Sequence, residues 1–143
     1  KEYISAPIIC FMDPALMTQV FNNLLKNGIE SIEKANKQGL IGGKKDGLVR
    51  VNITKTETNI LINIIDNGVG LPKKKTQLFE PYVTTRENGI GLGLAIVKKI
   101  IEEHDGTLNL LDCEHLSELK NQGAVAQITL PIVTEQDGQI QLL

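Results

Sequence analysis

The chain has 143 residues, the size of one ordinary domain, with 41% hydrophobic and 22% charged residues; a packed core can form and wholesale disorder is excluded. Aromatic residues make up 3% and there is no Trp, so aliphatic side chains must build that core. A net charge of −2, two His and two Cys argue against a basic nucleic-acid surface, an anionic-membrane partner and any His-rich or Cys-rich metal cluster.

Apolar Ile8 to Met12 predicts a first strand. Asp13-Pro14 then reads as a helix N-cap followed by Pro at the first helical position. Leu16, Val20, Phe21, Leu24, Leu25, Gly28 and Ile32 recur at helical spacing, which predicts a helix to about Ala35. Gln38 to Gly47 is a Gly- and Lys-rich loop. Leu48 to Thr54 and Asn59 to Ile65 read as a hairpin turning at Lys55 to Thr58, and the glycines of Asp66 to Gly70 end its second strand. Pro72 to Phe79 predicts a short helix and Glu80 to Gly89 an irregular loop. Leu92 to His104 returns to helical periodicity and stops at Asp105-Gly106. Thr107 to Leu111 and Val125 to Val133 are closing strands. The order predicts an α+β fold, with helices on one face of a mixed, mainly antiparallel sheet. No apolar run is long enough to span a bilayer. Cys10 and Cys113 form no CxxC unit, and the start at Lys1 without Met reads as a piece of a longer protein.

Three polar clusters punctuate this framework. On the first helix Asn23, Asn27 and Glu30 share a narrow stripe beside the apolar face. Asn is a mediocre helix former, and its amide oxygen is a hard ligand suited to Mg²⁺, which keeps waters and substrate phosphates in its shell; taken alone, the stripe also reads as a solvated helix edge. Asp66-Asn67-Gly68-Val69-Gly70 sets a carboxylate at a strand end, where it can accept a hydrogen bond from an exocyclic amine, and the glycines allow close backbone approach to a flat ligand. An ordinary Asp-Asn-Gly turn fits the same residues equally well. Gly89-Ile90-Gly91-Leu92-Gly93-Leu94 leads into a helix N-terminus, where free N–H groups and the helix dipole favour an anion. It is not the dinucleotide fingerprint, because its spacing differs from GxGxxG and no strand directly precedes it.

Together these segments resemble the boxes of sensor histidine kinases. Asn23-Leu24-Leu25-Lys26-Asn27 resembles their N box, Asp66 to Gly70 the G1 box, Phe79-Glu80-Pro81-Tyr82 the F box and Gly89 to Leu94 the G2 box, in the family's order. Gly123-Ala124-Val125 and Leu130-Pro131 are similar to its closing strands. The nearest resemblance is to the nitrogen-regulation, NtrY-like branch. It implies the Bergerat ATP-binding fold shared with Hsp90, MutL and type II topoisomerases, over a core of about 8 to 132 with an ATP lid at about 71 to 90.

The resemblance further implies Mg-ATP as the bound cofactor. Asn27 matches the Mg²⁺-binding Asn and Asn23 the residue that helps hold the phosphates. Asp66 matches the adenine-reading Asp, with Gly68 and Gly70 shaping the pocket floor. Gly89, Gly91, Leu92 and Gly93 match the phosphate loop, Arg86 supplies positive charge from the lid, and Thr129 is expected beside the base. ATPases of this superfamily carry a Glu general base where this chain has Asn23, so transfer rather than hydrolysis is implied. Neither His104 nor His115 fits an H box. The implied partners are an upstream dimerisation and phosphoacceptor domain and a downstream response regulator, with no nucleic acid and no membrane contact by this domain. The expectation is a monomeric, cytoplasmic domain of a kinase anchored in the inner membrane. Two other readings remain open: a degenerate docking module, because Glu30 and Thr84 stand where many relatives carry a basic residue, and a Bergerat ATPase.

Overall fold

A computed structural model of the chain describes residues 8–41, 47–72, 78–79, 93–113, 123–136 and 139–142, with side chains through Val133. Helix α1 (Pro14–Lys37) begins where the sequence places its cap: Asp13 is extended, and its Oδ1 accepts the N–H groups of Ala15 at 2.8 Å and Leu16 at 3.0 Å. The helix buries Met17, Val20, Leu24, Gly28 and Ala35. Its end is a Schellman motif: Gly39 at φ 70° donates to the Asn36 carbonyl and Leu40 to the Ala35 carbonyl.

Strands β1 (Val49–Lys55) and β2 (Asn59–Asp66) form the expected antiparallel hairpin. After helix α2 (Gly93–Glu102) come β3 (Thr107–Asp112) and β4 (Ala124–Pro131). The four strands make one sheet in the order β1-β2-β4-β3, and every described pairing is antiparallel. Register assigns the faces, since side chains alternate along a strand. Ile60, Ile62 and Ile64 of β2 sit opposite Leu130, Ile128 and Ala126 of β4, and all six are buried with α1 and α2 residues in the main core. The opposite face carries Asn63 and Gln127, joined side chain to side chain at 3.1 Å.

Helix α2 closes on a second Schellman motif, in which Gly106 N–H reaches the Ile101 carbonyl at 2.9 Å. The left-handed residue there is Asp105, φ 56°, a conformation that short polar side chains tolerate. Gly106 serves a different need: a Cβ on it would stand 2.6 Å from the Thr129 carbonyl oxygen.

Two expected strands are corrected. Ile8 to Met12 is irregular: Ile9 accepts one bond from Val133 N–H, and Ile9, Phe11 and Met12 stay exposed. Ile8 and Cys10 still pack on the core, so the segment is held by its side chains and a single backbone bond, without a ladder partner along its length. The predicted strand Val125 to Val133 is broken at Ile132, whose N–H turns to the Thr58 carbonyl at 3.1 Å. Val133 then opens β5 (Val133–Gln136), which pairs with β6 (Gln139–Leu142) in a separate two-stranded sheet. The expected short helix at Pro72 to Phe79 is described only at Pro72, which is irregular, and at Leu78 and Phe79, a single 3₁₀ fragment; the loop that follows lies outside the described residues.

The cap and the core carry separable shares of stability. Asp13→Ala should cost about 1 kcal/mol and Ile128→Ala, at a position with no exposure, about 2–5 kcal/mol. Urea unfolding followed by circular dichroism measures both, since the chain has no Trp.

Candidate functional site

Parts of α1, β2, α2 and the approach to β4 meet near one end of the two layers. On α1, Asn23 and Asn27 are half-buried one turn apart, and Ser31 extends the line by another turn. Asn23 Nδ2 donates to the Gln19 carbonyl at 3.0 Å. Its Oδ1 lies against the first residue of α2: a Cβ on Gly93 would stand 3.2 Å away. The amide oxygen therefore sits beside a helix start whose first N–H groups have no intrahelical partner.

Asp66, at the end of β2, is the one buried charged residue among those described, 8% exposed. Its Oδ1 accepts the Gly68 N–H at 2.9 Å, and Ser31 and the Ala124 N–H also bond the carboxylate. Burial raises its pKa above the usual Asp value, and these three bonds only partly oppose that. A carboxylate offers about four acceptor positions, so three bonds leave room for one further donor.

Four glycines give Asp66 this setting. A Cβ on Gly28 would lie 3.4 Å from Asp66 Cβ, so α1 runs close along the strand end. A Cβ on Gly68 would overlap Ser31. Gly123, at φ 115°, admits none because the Asp66 carbonyl oxygen occupies that space. Gly70, at φ 78°, turns the chain against the Gly123 carbonyl. Behind the strand, the Cys113 thiol donates to the Asp66 carbonyl at 3.7 Å. It is pushed up to about 11 by burial, with the Asp66 and Asp112 charges adding to the effect.

The structure thus brings together Asn23, Asn27, Asp66, Gly68, Gly70 and Gly93. It sets Thr129 apart: Thr129 pairs with Leu61, five positions along β2 from Asp66, and belongs to the opposite face of the sheet. That is about 17 Å of strand, and strand parity turns the side chain away from the helices. Arg86, Gly89, Gly91, Leu92 and Thr84 lie outside the described residues, as does most of the expected lid. Phe79 packs on the core, with Lys98 Nζ 5.3 Å from its ring centroid. Sequence reasoning missed Ser31, Gly28 and Gly123. The only signal for Ser31 was its place four residues after Asn27.

His104 occupies the far end of α2. Its Nδ1 donates to the Ile100 carbonyl at 2.7 Å and its Nε2 accepts the Asp13 N–H at 2.9 Å, so both ring nitrogens are engaged.

The donor set fits a magnesium nucleotide. Among the described residues no three His, Cys, Asp or Glu side chains converge to hold a metal; a divalent ion here would rely on amide oxygen, water and phosphate. The buried carboxylate keeps an acceptor for a base amine, and the start of α2 suits an anion. Among the described residues, no helix is long and apolar enough to cross a membrane.

Comparison with known proteins agrees with this geometry. Residues 12–134 match the model of the histidine kinase-, DNA gyrase B- and HSP90-like ATPase family. The chain is 44% identical over 119 residues to the nitrogen regulation protein NtrY of Azorhizobium caulinodans, covering 82% of this chain and 14% of that protein. It is 34% identical over 124 residues to sporulation kinase C of Bacillus subtilis, covering 86% of this chain and 25% of that protein. The chain therefore spans a quarter or less of these relatives. Among solved structures, the catalytic domain of the histidine kinase ThkA is similar with a TM-score of 0.64 at 27% identity, covering 85% of this chain and 71% of that one. The mycobacterial sensor histidine kinase MprB shares the fold, with a TM-score of 0.69 at 24% identity over 86% of this chain and 74% of that one.

The raised pKa of Asp66 carries a sign. Its contribution to stability is fully present below the ordinary Asp value, near 3.9, and is lost as pH rises through the higher folded value. A ¹³C-carboxyl titration of the folded chain should place the Asp66 midpoint above that ordinary value; a midpoint at or below it contradicts the burial argument. Gly123→Ala should cost more than the usual 0.5–3 kcal/mol of a point substitution, read from urea unfolding.

Proposed function

Because the chain belongs to the histidine kinase-, DNA gyrase B- and HSP90-like ATPase family, we propose that it is the ATP-binding catalytic domain of a two-component sensor histidine kinase of the NtrY-like branch. The observation that carries this reading is the buried Asp66 carboxylate, held by Gly68, Ser31 and Ala124 beside a flank of two amides and a helix start. In this reading the domain comprises about residues 8 to 132, with residues 71 to 90 as a lid over the nucleotide.

Each residue then has a role its chemistry supports. Asp66 accepts the exocyclic amine of adenine, and Gly68 and Gly70 keep side chains out of the base plane. Asn27 offers its amide oxygen to Mg²⁺, and Asn23 with the N-terminal turn of α2 holds the phosphates. Gly89, Gly91 and Leu92 extend that cradle and Arg86 adds charge from the lid. Mg-ATP, when bound, supplies the transferable phosphoryl group. Asn23 cannot take a proton from water, so hydrolysis is slow and the nucleotide is kept for another acceptor. His104 does not serve as that acceptor, since both its nitrogens are engaged in the fold. The acceptor is a His on a separate dimerisation domain of the parent kinase, and a response regulator receives the phosphoryl group next. Localisation of this domain in the cytoplasm, beneath an inner-membrane anchor in the parent, accords with that role.

Asp66→Ala should weaken ADP binding at least a hundredfold by calorimetry, and unchanged affinity would remove the base-pocket assignment. Asn27→Ala should abolish the Mg²⁺ dependence of that binding. Incubated with labelled ATP and the parent's dimerisation domain, the chain should yield acid-labile phosphate on His. Free phosphate alone would instead indicate an ATPase, and neither product a docking module.

A further inference from the structure

We infer that Ser31 is a positioning residue for base recognition: its hydroxyl, on α1, fixes the rotamer of the Asp66 carboxylate so that one oxygen faces the base. The inference rests on the proposed reading of Asp66 as the group that accepts the adenine amine. It adds a residue from a different element, and a mechanism by which the helix controls selectivity.

The geometry is a short relay. Val69 N–H donates to Ser31 Oγ at 3.1 Å and also reaches the Ser31 carbonyl at 3.3 Å. A hydroxyl has one donor and two acceptor positions. With an acceptor position committed to Val69, its proton goes to Asp66, whose carboxylate it bonds. Gly68, between the two, has no Cβ because Ser31 occupies that space, and Gly68 N–H holds the other contact at 2.9 Å. The carboxylate is therefore gripped from the strand end by Gly68 and Ala124 and from the helix by Ser31. Only Ser31 among the three is a side chain, so only that grip can be deleted without moving the backbone. Alanine lacks the hydroxyl, suits a helix interior better than serine, and leaves the Asp66 carboxylate with two bonds and a freer χ2.

A positioning role and a merely structural one separate in a ratio of affinities. Binding of ADP is compared by calorimetry with that of purine riboside diphosphate, which lacks only the exocyclic amine. The amine preference of the native chain is the reference. Ser31→Ala should cut that preference about tenfold, the worth of one charge-assisted hydrogen bond, while affinity for the analogue stays within about twofold. Equal weakening for both ligands, or no change for either, overturns the inference. Asp66→Ala is run alongside. If it erases the preference and Ser31→Ala does not touch it, the Ser31 role alone fails. If Asp66→Ala leaves the preference intact, the base-reading assignment fails and takes the Ser31 role with it.

Discussion

The close approach of α1 to the end of β2 is the constraint on which the rest depends. Gly28 on the helix and Gly68 after the strand are both bare at the contact, and a methyl group at Gly68 would force the two elements apart. Their closeness lets a helix hydroxyl reach a strand-end carboxylate, and it sets Gly28, the chain neighbour of Asn27, against Asp66. The core fixes the same arrangement from below: Val20 and Leu24 of α1 pack with Ile62 and Ile64 of β2 and Ile128 of β4.

This contact runs against stability. A carboxylate removed from water is costly unless fully bonded, and Asp66 has three partners where four are possible. Gly123 and Gly70 both hold positive φ to make room. An underbonded carboxylate at one spot, on an otherwise aliphatic two-layer body, marks where stability yields to a ligand. Cys113, by contrast, is a buried thiol whose raised pKa keeps it unreactive, so its part is packing behind the strand.

Much of this was legible in the amino-acid order because the signals were local. Asp13-Pro14 and Asp105-Gly106 bound their helices as read, and the hairpin of β1 and β2 follows from alternation and its turn. What escaped depends on tertiary partners. The alternation of Val125 to Val133 continues unbroken through Ile132, and only the bond to Thr58 ends it. Thr129 looked adjacent to the base, but register sends it to the outer face. Ser31 looked like any small helical residue until Val69 and Asp66 came alongside it. Arg86 and the glycines before Gly93 fall outside the described residues, so their place in the site rests on the family resemblance.

The two helices meet at two places. His104 pins the start of α1 to the end of α2 through Asp13 and Ile100, and Asn23 abuts Gly93 ten residues further along α1. Only the first is a bond: the Asp13 N–H donates to His104 Nε2 across the two helices, whereas Asn23 keeps its own amide bond within α1. A pull on the chain at Asp13 is therefore handed to the last turn of α2 through one imidazole, by way of the Ile100 carbonyl.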